Sequence, residues 1–150
     1  MYRRILVPLD GSATSERGFA EALGLAKAFD AALVLLHVVE VYPMMMEMAT
    51  ATTWQQVTTG LLEEGRRVLD RAHEAAQSAG IASEAHLEDA AAARVCDVIV
   101  EQARAHRCDL IVMGTHGRRG VGHALVGSDA ERVVRAAPCA VLLVRAPERP

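Results

Sequence analysis

Residues 109–128 read DLIVMGTHGRRGVGHALVGS, and this stretch decides the fold. Leu110, Ile111, Val112 and Met113 form a short unbroken apolar run of the kind that buried strands carry. The run stops at Gly114, and glycine recurs at 117, 120, 122 and 127 before a helical pattern resumes after Ser128. A strand that passes through a glycine-rich loop into a helix offers backbone N–H groups and the positive end of a helix dipole to a phosphate. The first expectation is a nucleotide-phosphate site in this loop.

Working outward, the same alternation of strand and helix fills the chain. Residues 5–9 form an apolar run closed by Asp10-Gly11-Ser12, which suits a buried strand ending in a tight turn. A helix is expected from about Ala13, with Ser12 as N-cap, Glu16 in the first turn, and Phe19, Ala22, Leu23, Ala26 and Phe29 on one face. Residues 32–39 read as a second strand, apolar throughout rather than alternating, as in a parallel sheet covered on both faces. Residues 61–79 are helical in period, and Gly80 is a ready C′ residue. Residues 81–87 alternate and suit an edge strand. A third helix is expected from about Ala91 to Arg107 and a fourth over residues 129–137. Pro138 ends that helix, and a last apolar strand follows at Ala140–Val144.

This order predicts an α/β fold: one open, twisted, mostly parallel sheet with right-handed crossovers and helices on both faces. Ligands in such sheets sit outside the carboxyl ends of the strands, where strand order reverses. The loops after the first, second and fourth strands should therefore converge on one site. Residues 40–60 break the pattern with Tyr42-Pro43, Met44, Met45, Met46, Met48 and a Thr-rich patch around Trp54. A stretch this long without periodicity reads as a lid, a partner-binding segment or a loop. Its thioethers would suit soft Cu(I), but no His or Cys accompanies them.

Bulk composition narrows the function. At 150 residues with 51% apolar and 23% charged content, the chain is expected to form one globular domain over residues 1–146, with a frayed tail at 147–150. A formal net charge of −3 gives no footprint for nucleic acid or an anionic membrane. No apolar run approaches a membrane span, and the opening residues lack a signal-peptide core, so a cytoplasmic location is expected. Three cysteines without CxxC spacing indicate neither a disulfide framework nor a zinc site. No Ser/His/Asp or Cys/His set is discernible. His116 and His123 could act on a γ-phosphate, Arg118 and Arg119 could clamp phosphates, and His37 reads as a satisfied core or edge histidine. Glu63, Glu64, Arg66 and Arg67 read as a solvated helix face.

Gly114, Gly117, Gly127 and Ser128 fall in the order G, two residues, G, nine residues, G-S. With RILVPLDGS at the start, LLHVV, DLIVMGTHG and PCAVLLVR, this resembles the universal stress protein family and its ATP-binding signature. The resemblance implies a Rossmann-like, adenine nucleotide alpha hydrolase-like sheet of order 3-2-1-4-5. It also implies a homodimer paired along Ala140–Val144 and ATP held at the strand ends. Pro8, Leu9 and Asp10 would border the adenosine, and Val38 would approach adenine through its backbone. Gly114, His116, Gly117, Gly127 and Ser128 would hold the phosphates, and Mg²⁺ could bind near Asp10. The function implied is a regulatory ATP-binding protein of the stress response, with at most slow ATP hydrolysis or autophosphorylation. The alternatives are an AMP or cAMP sensor, or a nucleotide-independent dimeric module that engages a protein partner through residues 42–60. Where the family carries a glycine after the third strand, this chain has Glu88-Asp89, an acidic pair that would repel a polyphosphate unless a metal intervened or the side chains turned outward.

Overall fold

In the computed structural model, which describes residues 1–40, 50–90, 93–116 and 126–145, nine elements alternate along the chain. They are β1 (Arg4–Pro8), α1 (Ala13–Phe29), β2 (Ala32–Val39), α2 (Ala51–Ser78), β3 (Ser83–Asp89), α3 (Val95–Ala105), β4 (Leu110–Gly114), α4 (Ser128–Ala136) and β5 (Ala140–Val144). The strands form one parallel sheet of order β3-β2-β1-β4-β5. The chain first builds outward from β1 to β2 and β3, then returns to β4 and continues to β5. Keeping one crossover hand through that reversal puts the first two helices on one face and the last two on the other. One core layer joins Ile5, Val7, Leu33, Leu35 and Val112 to Phe19 and Ala22 of α1 and to Val68 and Leu69 of α2. The opposite layer joins Leu6, Val34, Leu36 and Ile111 to Ile99 and Ala103 of α3 and to Ala130 and Val133 of α4. Central strands thus bury both faces, which is why β2 and β4 read as continuous apolar runs. No helix among the described residues is long and apolar enough to cross a membrane.

Helix ends follow their local chemistry. Ser12 caps α1, its Oγ accepting from the Ser15 N–H at 3.2 Å, and Glu16 lies in the first turn. The α2 terminus at Gly80 (φ +72°) is a Schellman turn: Ile81 N–H donates to Ala76 O and Gly80 N–H to Gln77 O, both at 2.9 Å. The same pair of bonds ends α3 at Arg107 (φ +52°), where Cys108 N–H donates to Ala103 O and Arg107 N–H to Arg104 O.

Three boundaries differ from the sequence expectation. The edge strand β3 starts at Ser83, not Ile81, because the Ile81 N–H is used to terminate α2. For α3 the start is Val95 rather than about Ala91, and the Schellman turn ends it before Arg107. Most consequentially, α2 begins at Ala51, so residues 51–60 of the aperiodic stretch are helical. Thr50 caps them through Oγ1, which accepts from Thr53 N–H at 3.3 Å. These first turns bury no residue, so no apolar stripe exists there to be read. Tyr42, Pro43 and the clustered methionines lie outside the described residues.

Candidate functional site

A cavity of about 380 Å³ opens at the carboxyl ends of β1, β2 and β4, beside the N-terminus of α4. The turn after β1 is built first. Asp10 Oδ1 accepts from the Ser12 N–H at 2.9 Å, closing an Asx turn over Gly11, whose φ of +78° favours glycine. Pro8, Leu9 and Asp10 line the cavity from this side. From β2 come His37, Val38 and Glu40. His37 is buried, and its Nδ1–H donates to the Leu9 carbonyl at 2.7 Å, which ties the two strand ends together. It is a satisfied histidine, as its strand position suggests.

The β4 end and the start of α4 form the opposite wall. Thr115 is buried and acts as the clasp of the glycine loop: its N–H donates to Val144 O at 2.9 Å, and its carbonyl accepts from Gly127 N–H at 2.7 Å. Thr115 Oγ1 lies 3.1 Å from His116 Nδ1, which holds the imidazole at the cavity wall. A Cβ on Gly127 would stand 3.1 Å from Thr115 O, so only glycine closes this clasp without displacement. Gly127 is also the N-cap of α4 and supplies no side-chain cap bond, leaving the first-turn N–H groups of Ser128 and Asp129 without a capping side chain. Gly114 lines the cavity too, yet its glycine character serves packing: a Cβ there would meet Thr14 at 2.9–3.0 Å.

The loops after the first, second and fourth strands therefore do meet, and Pro8, Leu9, Asp10, Val38, Gly114, His116, Gly127 and Ser128 all line one cavity. Gly117 and Arg118, with Arg119 and His123, lie outside the described residues. Glu88 and Asp89 belong to β3 and do not line the cavity. Among the described residues, the acidic groups that line it are Asp10, Glu40, Glu64 and Asp129. Glu64 is exposed, as its place on a solvated helix face suggests, and it also lines the cavity. Helical period assigns a residue to a face of α2 but cannot say that the face overhangs the strand ends. Thr115 was missed for a related reason, since a buried threonine one residue past a strand carries no motif.

A Cβ on Gly65 would lie 2.6 Å from His37 Cδ2 and 2.7 Å from Leu87 Cδ1, so α2 crosses the sheet here at backbone distance. That approach brings Leu61 and Glu64 to the cavity. The three cysteines are free thiols; burial raises each above the ordinary value of 9.0, Cys108 to about 11. None lines the cavity.

Comparison with known proteins agrees with this architecture over the whole chain. The model of the universal stress protein family matches residues 1–145. A universal stress protein of Methanocaldococcus jannaschii is 35% identical over 149 residues, covering 99% of this chain and 85% of the relative. The crystal structure of a universal stress protein family member from Burkholderia pseudomallei is 34% identical, with a TM-score of 0.79 over 97% of both chains. A universal stress protein crystallised in complex with cAMP is 25% identical, with a TM-score of 0.69 over 95% of this chain and 97% of that one. With the family model spanning nearly every residue and the sheet order in place, the chain belongs to the universal stress protein family.

Proposed function

We propose that this protein binds an adenine nucleotide, ATP foremost, across the β1–β4 switch point and acts as a regulator through nucleotide-dependent conformation or partner choice. One observation carries this: Asp10, Val38 and the Gly127–Ser128 helix start line a single cavity whose volume of about 380 Å³ falls in the range of small-molecule sites. Asp10 and the backbone at Val38 would take the adenosine end. The first-turn N–H groups of α4 would take phosphate oxygens, joined by Gly117 and Arg118 of the loop. A solved relative that holds cAMP supports an adenine nucleotide as the ligand class.

The carboxylates decide how phosphates could be tolerated. Asp10, Glu40, Glu64 and Asp129 would repel a bare triphosphate. Asp10 and Asp129 are hard oxygen donors that fit Mg²⁺, which bridges carboxylates to phosphates and would supply charge neutralisation there. This favours Mg²⁺-ATP, and it also gives the AMP or cAMP reading its support, because fewer phosphate charges need no ion. Thr115 is buried, so its contact with His116 braces the loop stem rather than presenting a nucleophile, and holding the nucleotide fits better than turning it over. A cytoplasmic location is part of this reading, and three free thiols suit such a reducing compartment.

Calorimetric titration with ATP, ADP, AMP and cAMP, with and without Mg²⁺, tests the proposal. The expected result is Mg²⁺-dependent ATP binding that Gly127→Val weakens at least tenfold while far-UV circular dichroism is unchanged. Tighter binding of AMP or cAMP would select the sensor reading. No binding of any adenine nucleotide would overturn both.

A further inference from the structure

The outer part of the sheet carries a second cluster that the nucleotide cavity does not use. Glu84 and His86 of β3 pair in register with Val34 and Leu36, so both side chains lie on the sheet face that α3 and α4 cover. His106 is the C-cap of α3, held there by the Schellman turn at Arg107. The three side chains converge: His106 Nδ1 lies 3.2 Å from Glu84 Oε1, His86 Nε2 lies 3.8 Å from the same oxygen, and the two rings are 4.1 Å apart. One ligand atom from each falls within 4.8 Å of the others. In a tetrahedral site with metal–ligand bonds of about 2.0–2.1 Å, ligand atoms stand about 3.3 Å apart. Binding an ion requires the side chains to turn toward a common point.

The hydrogen bonds favour an ion. Gln102 Oε1 lies 3.1 Å from His106 Nε2, and as an acceptor it calls for a proton on that nitrogen. In the neutral ring this sets the Nδ1 lone pair against Glu84 Oε1, two acceptors 3.2 Å apart that either an ion or a proton on Nδ1 reconciles. His86 Nε2 is shielded from solvent and has no hydrogen-bond partner among the described residues. A cation between the three atoms would satisfy all of them, and the Gln102 bond is the outer contact that orients a ligating imidazole. Arg4 also engages Glu84 Oε1 and competes for that oxygen, so the carboxylate must be shared or Arg4 must move aside.

We propose that Glu84, His86 and His106 form a site for a borderline divalent transition ion, Zn²⁺ by ligand type, with a fourth position open to water. The side chains are 22–44% exposed, so an ion can enter from solvent. Bound there, it would clamp the edge strand β3 to the C-terminus of α3. The full chain, stripped of metal, is titrated with Co²⁺ as a visible-absorption probe and then with Zn²⁺. Expected is one saturable site per chain with a tetrahedral-type Co²⁺ spectrum that Zn²⁺ displaces. Glu84→Gln, His86→Ala and His106→Ala should each weaken it at least tenfold, with circular dichroism showing the fold retained. Zn²⁺ should raise the melting temperature of the wild type and not of the His86→Ala/His106→Ala variant. Unchanged metal affinity in that double variant, or no saturable binding to the wild type, would overturn the site and leave a histidine–carboxylate ion pair in its place.

Discussion

A methyl group built on Gly65 would overlap His37 and Leu87, whereas one built on Gly60, five residues earlier in α2, meets nothing within 4 Å. The two glycines should therefore respond to substitution with opposite signs. Gly60→Ala removes backbone freedom from the unfolded chain at an exposed helical position and should stabilise by about 0.5–1 kcal/mol. Gly65→Val should cost about 1–3 kcal/mol by overpacking. It should also weaken nucleotide binding, because His37 is pinned to the Leu9 carbonyl and cannot yield without disturbing the strand ends. Urea denaturation of both variants, with nucleotide titration of the second, checks this. Stabilisation by Gly65→Val would mean that α2 does not approach the sheet as closely as described. In the sequence the two glycines look alike; only the helix crossing separates them.

At the scale of elements, β5 is the part whose environment is unfinished. It pairs with β4 on one side only, and Leu142 remains 39% exposed. An apolar strand with an open edge invites pairing with a second copy, which is the homodimer that the family resemblance implies for Ala140–Val144. Leu142→Lys places a charge on that edge and should shift the protein toward monomer in light scattering, with its melting temperature little changed. A wild type that is already monomeric at every concentration would remove the β5 dimer. The opposite edge is handled differently: β3 carries Glu84, His86 and Glu88, charged and titratable groups that discourage such pairing.

For the whole molecule, the cavity proposed for the nucleotide is assembled from segments that are far apart in sequence, chiefly residues 8–10, 36–40, 113–116 and 127–130, with Leu61 and Glu64 from α2. A ligand held by all of them at once stabilises the folded state against every unfolded conformer. With nucleotide and Mg²⁺ at about a hundred times the dissociation constant, the stabilisation should be about 2.7 kcal/mol. For a chain of this size that raises the melting temperature by roughly 5–10 °C. Differential scanning calorimetry should show the shift in the wild type and little of it in Gly127→Val. A comparable shift in that variant would place the ligand elsewhere than at the Thr115–Gly127 clasp.

Local chemistry was enough for much of this. Apolar runs marked every central strand within a residue or two, Ser12 and Gly80 marked helix ends, and the glycine order with the strand motifs marked the family and eight of the residues that line the cavity. These features are legible because each depends on neighbours a few positions away. The start of α2 was not legible, since its first turns bury nothing and leave no periodic stripe. Nor could spacing alone show that Glu64 overhangs the strand ends, that Thr115 locks the glycine loop, or that Glu84, His86 and His106 meet. Residues 109–128 by themselves raise the expectation of a phosphate-binding loop. Which carboxylates line the cavity beside its ends, and how closely α2 may approach, depend on contacts between elements tens of residues apart, and only the packed sheet and helices fix those.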